Sequence, residues 1–193
     1  SKYDTLTKEQ QLKLLGEIQE DSGWLIRMVE NLLSVTRIDD AKVKIIKTSI
    51  VLDELIDSVL MKFSKKHPNQ KVITRIPDDF VDIPMDFILI EQVLLNLLEN
   101  AVFHAKGMTE LILSVSITED KAVFEVADNG CGIPKEALNK IFTGCYEKTD
   151  VPVDGTRNNM GIGLSVCVAI IRAHGSEITL TDNTPSGCIF SFT

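Results

Sequence analysis

The chain has 193 residues, 44% of them hydrophobic and 25% charged, an ordinary globular composition that suits one compact domain plus an extension. Its net charge of -8 argues against a nucleic-acid partner, which calls for a basic stripe, but not against an anionic nucleotide held by local dipoles, a metal and a few cations. No apolar run approaches the roughly 18 residues that cross a bilayer, and the polar start Ser1–Gln11 does not read as a signal peptide.

Thr7 to about Ile38 reads as one long helix, with no proline and with Gly16 and Gly23 as its only glycines. Leu15, Ile18, Ser22, Leu25, Val29 and Leu32 recur at spacings of three and four, the seam of a helical bundle or coiled coil; an amphipathic helix covering its own domain is the alternative. A short strand near Ile45–Ser49 precedes a helix at about Leu52–Ser64, broken by Lys65-Lys66-His67-Pro68-Asn69. Val72–Ile76 and Phe80–Ile83 read as strands, and Met85–His104 has helical periodicity. Leu111–Ile117 and Ala122–Ala127 alternate with period two around Glu119-Asp120, which predicts a hairpin. Asp128–Pro134 is a glycine-rich loop, and Phe142–Met160 is polar enough to read as a long loop. Gly161–His174 follows as a helix ended by Gly175. Ile178–Thr181 and Cys188–Phe192 close the chain as a hairpin across Pro185-Ser186-Gly187. Mixed helices and mostly antiparallel strands predict an α+β, two-layer sandwich with helices on one face, preceded by a long N-terminal helix.

Three segments carry chemistry. Asn96 and Asn100 stand four residues apart, so their amides share one face of an otherwise leucine-filled helix. Buried amides need partners, either backbone groups or a hard cation such as Mg²⁺, which takes few protein ligands and shares its shell with phosphate oxygens and water. Asp128-Asn129-Gly130-Cys131-Gly132-Ile133-Pro134 directly follows a strand; its carboxylate could accept from an exocyclic amine such as that of adenine, and its glycines let the backbone approach a planar ligand. Aspartate and glycine also serve ordinary turns. Asn158-Asn159-Met160-Gly161-Ile162-Gly163-Leu164-Ser165 opens a helix, whose free N–H groups and dipole suit a phosphate; a plain glycine-containing cap is the alternative. Neither a Walker A lysine nor the third glycine of a dinucleotide fingerprint is present. Cys131, Cys145, Cys167 and Cys188 form no CxxC pair, which argues against a metal cluster and suits reduced thiols.

In order and context, these segments resemble the N box and the two glycine boxes of sensor histidine kinases, and Ile141-Phe142 resembles the F box between them. The match runs from Ile26 to Phe192. Met28–Arg37 resembles the end of a dimerisation helix, and together with Asn96–Val102 it is most similar to KdpD-type osmosensitive potassium-response kinases. The resemblance implies the Bergerat, or GHKL, ATP-binding fold. It also implies a division into residues 1–42, a partial dimerisation and histidine-phosphotransfer region, and 43–193, the ATP-binding catalytic domain.

By the same resemblance ATP and Mg²⁺ are the cofactors. Asn100 is the Mg²⁺ ligand, with Asn96 near the metal or phosphates. Asp128 takes the adenine amine, while Gly130, Gly132 and Ile133 belong to the base pocket. Gly161, Gly163 and Leu164 cradle phosphates, and Phe142 anchors a lid. The expected partners are a dimerisation domain bearing the phosphoacceptor histidine, a response regulator and a second copy in the full-length parent. That parent is expected in the bacterial cell membrane with this domain in the cytoplasm.

Two departures stand out. Many family members carry Lys three residues after the second Asn, where this chain has Phe103 followed by His104; Lys106, Lys148 and Arg157 are the candidate substitutes, and Arg157 in the lid could grip the γ-phosphate. None of His67, His104 and His174 has the context of a phosphoacceptor, so the sequence reads as a fragment that begins after the acceptor helix. The rival readings are a GHKL-type ATPase and a non-catalytic nucleotide-sensing scaffold. The ATPase uses a carboxylate four residues before the metal-binding Asn, where this chain has Asn96.

Overall fold

The computed structural model describes residues 7–19, 22–23, 45–118, 121–134 and 162–193. Residues 8–19 (α1) are helical, as are 22–23; the rest of the expected long helix lies outside the described residues, as does the loop Phe142–Met160. There follow β1 (Thr48–Val51), α2 (Leu52–Lys66), β2 (Ile73–Arg75), β3 (Asp82–Met85), α3 (Phe87–His104), β4 (Leu111–Thr118) and β5 (Lys121–Asp128). The chain ends with α4 (Ile162–Ala173), β6 (Thr179–Asp182) and β7 (Cys188–Phe192). The main sheet has the order β2-β4-β5-β7-β6, and β1 pairs with β3 in a separate antiparallel ribbon. Among the described residues only the β2–β4 pair is parallel, as expected of a mixed, mostly antiparallel sheet.

Alternation decides which face of the sheet is covered. Leu111, Leu113 and Val115 of β4, Phe124, Val126 and Asp128 of β5, and Cys188, Phe190 and Phe192 of β7 are all buried. Register lines them up: Val115 lies across from Phe124, which lies across from Phe192, and Leu113 across from Val126, which lies across from Phe190. The Phe124 and Phe192 rings stack 5.0 Å apart. Asp128 therefore occupies the last position of a core-facing row.

The helices cover this face, and α3 is central. Its Val93, Leu94, Leu97 and Leu98 are fully buried, each such side chain contributing on the order of 1.5–3 kcal/mol. By length and composition α3 could cross a membrane, contrary to the count of uninterrupted apolar residues; the same composition serves it as the core helix. It starts two residues later than its periodicity suggests because Asp86 caps it, accepting from the Leu89 N–H at 3.3 Å. Toward α2, it is tied by Glu91, which accepts from Ser58 Oγ at 2.5 Å and from Lys62 Nζ at 2.6 Å, and by Glu99, which pairs with Lys66.

α4 runs antiparallel to α3. At its C-terminal end, His174 accepts from the Asp86 N–H through Nε2 at 3.2 Å and donates from Nδ1 to the Ile170 carbonyl at 2.8 Å, the arrangement of a neutral imidazole. Midway along α4, the buried Cys167 thiol points at the Val93 carbonyl, 3.9 Å away. The helix ends as predicted at Gly175, with φ of 87°, and the Ser176 N–H reaches back to the Ile171 carbonyl.

Candidate functional site

The antiparallel pairing brings the chemistry to one end of the helical layer. Cys167 lies beside Val93 and Asn96. One helical turn back along α4 is Gly163, and one turn on along α3 is Asn100, so the first turn of α4 comes level with Asn100. Beyond Asn100, the last turn of α3 meets the glycine loop. A Cβ on Gly130 would stand 2.6 Å from the Ala105 Cβ, so only glycine fits there. Cys131 Sγ lies 3.6 Å from the His104 carbonyl oxygen and 3.5 Å from that of Gly132. Gly132 needs its glycine for a φ of 70°, while Ile133 is partly buried against the core.

The side chains at this junction are polar groups in an apolar setting. Asn96 Nδ2 and Asn100 Nδ2 are both buried; Asn100 Nδ2 makes no hydrogen bond among the described residues, while Asn96 has only the Cys167 thiol beside it. Burial pushes the Cys167 thiol up to about 12, and a hydrogen bond with the Asn96 side chain draws it back down. An unpaired buried amide donor such as that of Asn100 costs about 1–3 kcal/mol unless something meets it. Leaving such a donor in a leucine-packed helix makes physical sense if a ligand brings the acceptor.

Asp128 is 6% exposed. Burial raises its carboxyl pKa, and the N–H groups of Gly130, at 2.9 Å from Oδ1, and of Cys188 draw it back down. Cys188 is pushed to about 11 by burial and then by the charges of Asp128, Asp182 and Cys131. The backbone beneath the carboxylate is held from two directions. Asn129 Oδ1 accepts from the Thr109 and Glu110 N–H groups at 2.8 and 2.9 Å, and its Nδ2 donates to Thr109 Oγ1 at 2.8 Å. From the β6–β7 turn, Asn183 Nδ2 donates to the Asp128 carbonyl at 2.8 Å.

The structure thus sets Asn96 and Asn100 on α3 beside Gly163 and the buried Leu164 of α4, and sets Asp128, Gly130, Gly132 and Ile133 in the strand end and loop that meet the end of α3. Phe142, Arg157, Gly161 and Lys148 lie outside the described residues. Phe103 turns toward α2, its ring edge-on to His67 with centroids 5.9 Å apart. His104 is half-buried, which lowers its pKa, and Lys106 is exposed beyond the helix. Asn129, Asn183 and Gly187 were missed in the sequence. A glycine in a Pro-Ser-Gly turn was the only signal, and it reads as an ordinary hairpin.

A family model described as histidine kinase-, DNA gyrase B-, and HSP90-like ATPase matches residues 85–193, which include both helices and the whole glycine loop. The chain belongs to this family. Membership in this ATPase family supports ATP as the ligand. The chain is 35% identical over 192 residues to the sensor protein KdpD of Clostridium acetobutylicum, covering 98% of this chain and 21% of that protein. It is 34% identical over 185 residues to the adaptive-response sensory kinase SasA of Nostoc sp., covering 94% of this chain and 45% of that protein. The chain therefore spans less than half the length of either relative. In fold it is similar to histidine kinase ThkA, solved in complex with the response regulator protein TrrA, with a TM-score of 0.75 at 24% identity, covering 99% of this chain and 53% of that one. Its α+β fold is that of histidine kinase catalytic domains in the GHKL family.

Proposed function

We propose that this chain is the ATP-binding catalytic domain of a two-component sensor histidine kinase and delivers the γ-phosphoryl group of Mg-ATP to a histidine on a dimerisation domain. The observation that carries the proposal is the buried Asn100 Nδ2, without a partner among the described residues, one turn beyond Asn96 on the helix whose end meets the glycine loop. Sensor kinases among the relatives support the same reading.

The donor set fits a Mg²⁺–triphosphate unit. Asn100 offers a carbonyl oxygen to the metal and an unpaired N–H₂ to a phosphate oxygen, and Asn96 stands one turn behind it. Bound there, Mg²⁺ would offset the charge of the β- and γ-phosphates. Asp128, with Oδ1 toward the Gly130 N–H, accepts the adenine amine, with Gly130, Gly132 and Ile133 forming the wall of the base pocket. Gly163 and Leu164 present the first N–H groups of α4 to the phosphates; Gly161, Phe142 and Arg157 act in the same site from the lid. Little covalent work falls to the chain, because positioning and charge neutralisation dominate such transfers.

The ATPase alternative needs a general base. Asn96 holds the position of that base and cannot act as one, and Glu99 points toward α2, where Lys66 pairs with it. Hydrolysis by water should be slow. Residues 1–42 belong to the dimerisation region and 43–193 to the catalytic domain, in a homodimeric, membrane-anchored parent whose response regulator takes the phosphoryl group onward; the ThkA complex supports that last partner.

The decisive experiment incubates the chain with γ-labelled ATP, Mg²⁺ and a separate dimerisation domain bearing a phosphoacceptor histidine. Label on that histidine, lost with Asn100→Ala or Asp128→Asn, is the expected result. Binding of ATP with no transfer to any acceptor would favour the nucleotide-sensing scaffold, and rapid release of phosphate to water would favour the ATPase.

A further inference from the structure

We propose that Asn183, in the turn between β6 and β7, is a positioning residue that sets the Asp128 carboxylate for base recognition; this rests on the nucleotide reading of the site. Three separate features of the turn converge on one short stretch of backbone. Asn183 Nδ2 donates to the Asp128 carbonyl at 2.8 Å. Ser186 Oγ reaches the Asn129 carbonyl at 3.4 Å. Gly187, with φ of 109°, lies so close that a Cβ there would stand 2.0 Å from the Asp128 carbonyl oxygen.

The turn is itself braced for this task. The Asn183 N–H donates to the Gly187 carbonyl at 3.0 Å, and Asn183 Oδ1 accepts from the Thr184 N–H at 2.9 Å. Both ends of the side-chain amide are therefore used, one within the turn and one on the loop. The ladder between β5 and β7 ends at Ala127–Ile189. At the next residue, a side-chain donor stands where a strand N–H would continue the pairing. Asp128 is paired with Leu111 on the β4 side, and the Cys188 N–H meets its carboxylate. On the β7 side, however, its backbone carbonyl is held by Asn183, and without that bond the backbone can shift and carry the carboxylate with it. Because the carboxylate projects from the same residue whose carbonyl Asn183 holds, a small shift of the backbone becomes a shift of the acceptor. Hydrogen-bond recognition of an amine tolerates little of that.

Neither Asn129 nor Gly130 replaces this contact. Asn129 fixes the loop to the start of β4, on the opposite side of the strand from the β6–β7 turn. The N–H groups of Gly130 and Cys188 meet the carboxylate itself and leave the Asp128 backbone carbonyl to Asn183.

The test is a binding cycle on the whole chain with Mg²⁺, using ATP and purine riboside triphosphate, which lacks the exocyclic amine. Asn183→Ala is expected to weaken ATP about three- to tenfold, the loss of one ordinary hydrogen bond, and to leave the amine-free nucleotide unchanged. In an Asp128→Asn background, Asn183→Ala should cost nothing further. Asn183→Asp is the second variant: it keeps the acceptor for Thr184 and the turn, loses only the donor, and should show at least the same loss. Equal weakening of both nucleotides, an undiminished loss in the Asp128→Asn background, or unchanged ATP affinity in either variant would each overturn the proposal. If Asp128→Asn alone leaves ATP binding intact, the fault lies in the base-recognition reading itself.

Discussion

Asn100→Leu should make the ligand-free protein more stable while disabling it. The Asn100 Nδ2 is buried and unpaired, a state that costs about 1–3 kcal/mol. Leucine has nearly the same shape, no donor to strand, and a slightly better helix propensity. Its neighbours Leu97 and Ala101 are already apolar and buried, so the new side chain joins existing core. The net gain is therefore about 1–3 kcal/mol, and at roughly 2–4 °C per kcal/mol for a chain of this size the melting temperature should rise by about 2–12 °C. Mg-ATP should reverse the order. Wild type gains RT ln(1 + [L]/Kd), about 4.1 kcal/mol at a thousandfold excess over Kd, and the variant gains almost none. Thermal unfolding of both proteins with and without Mg-ATP gives four curves, and the pair should cross. A ligand-free variant less stable than wild type would mean that the amide already has its partner and is not being held for a ligand. A variant stabilised by Mg-ATP as strongly as wild type would refute the role of Asn100 outright.

Glycine positions should separate structure from function. Gly187→Ala combines a left-handed backbone with a clash against the Asp128 carbonyl, so a loss of more than about 3 kcal/mol in urea unfolding is expected. Gly163→Ala meets nothing within 4 Å among the described residues; its stability should hold or rise by up to about 1 kcal/mol in α4, while ATP affinity falls if the backbone there must approach phosphate. The pH dependence follows from Asp128, whose folded pKa lies above its unfolded value because of burial. This carboxyl therefore adds stability below the ordinary carboxylate range and loses that contribution as pH rises through the folded pKa. ATP affinity should run the other way, falling on acidification at a higher pH than an exposed carboxylate would give, and Asp128→Asn should remove that dependence in a binding titration. Glu99→Gln should leave steady-state phosphate release unchanged, because Glu99 faces Lys66 and not the site; rapid hydrolysis abolished by this change would assign the chain to the ATPases.

Elements whose own pattern decides their pairing were legible in the sequence. β4 and β5 alternate over eight residues each, and their observed ranges extend the expected ones by one or two residues. β1 and β3 shifted by two or three residues toward the C-terminus because they pair with each other and not with the main sheet. Their extent is set by that register, by the Leu52 N–H bond to the Val81 carbonyl and by the Asp86 cap. Phe80 drew the expected strand start, yet it is 74% exposed and lies outside β3. No local hydropathy pattern carries such pairwise information.

The site divides along the same line. Asn96, Asn100, Asp128 and Gly163 were legible because an amide in a leucine helix, a carboxylate at a strand end and a glycine at a helix start are each locally anomalous. Asn183 and Gly187 were not, because they act through backbone 55 or more residues away in sequence, and nothing in a polar turn distinguishes a buttress from a connector. The convergence itself also lay beyond the residues taken singly. It depends on α3 and α4 running antiparallel, with His174 pinned to Asp86 at one end so that Asn100 and Gly163 come level at the other. Moving α4 along α3 by one turn, about 5.4 Å, would leave every motif intact and bring Gly163 level with Asn96 or His104 instead of Asn100. The contact that sets this alignment, a neutral imidazole accepting a backbone N–H, is thus as necessary to the geometry of the site as the residues that line it.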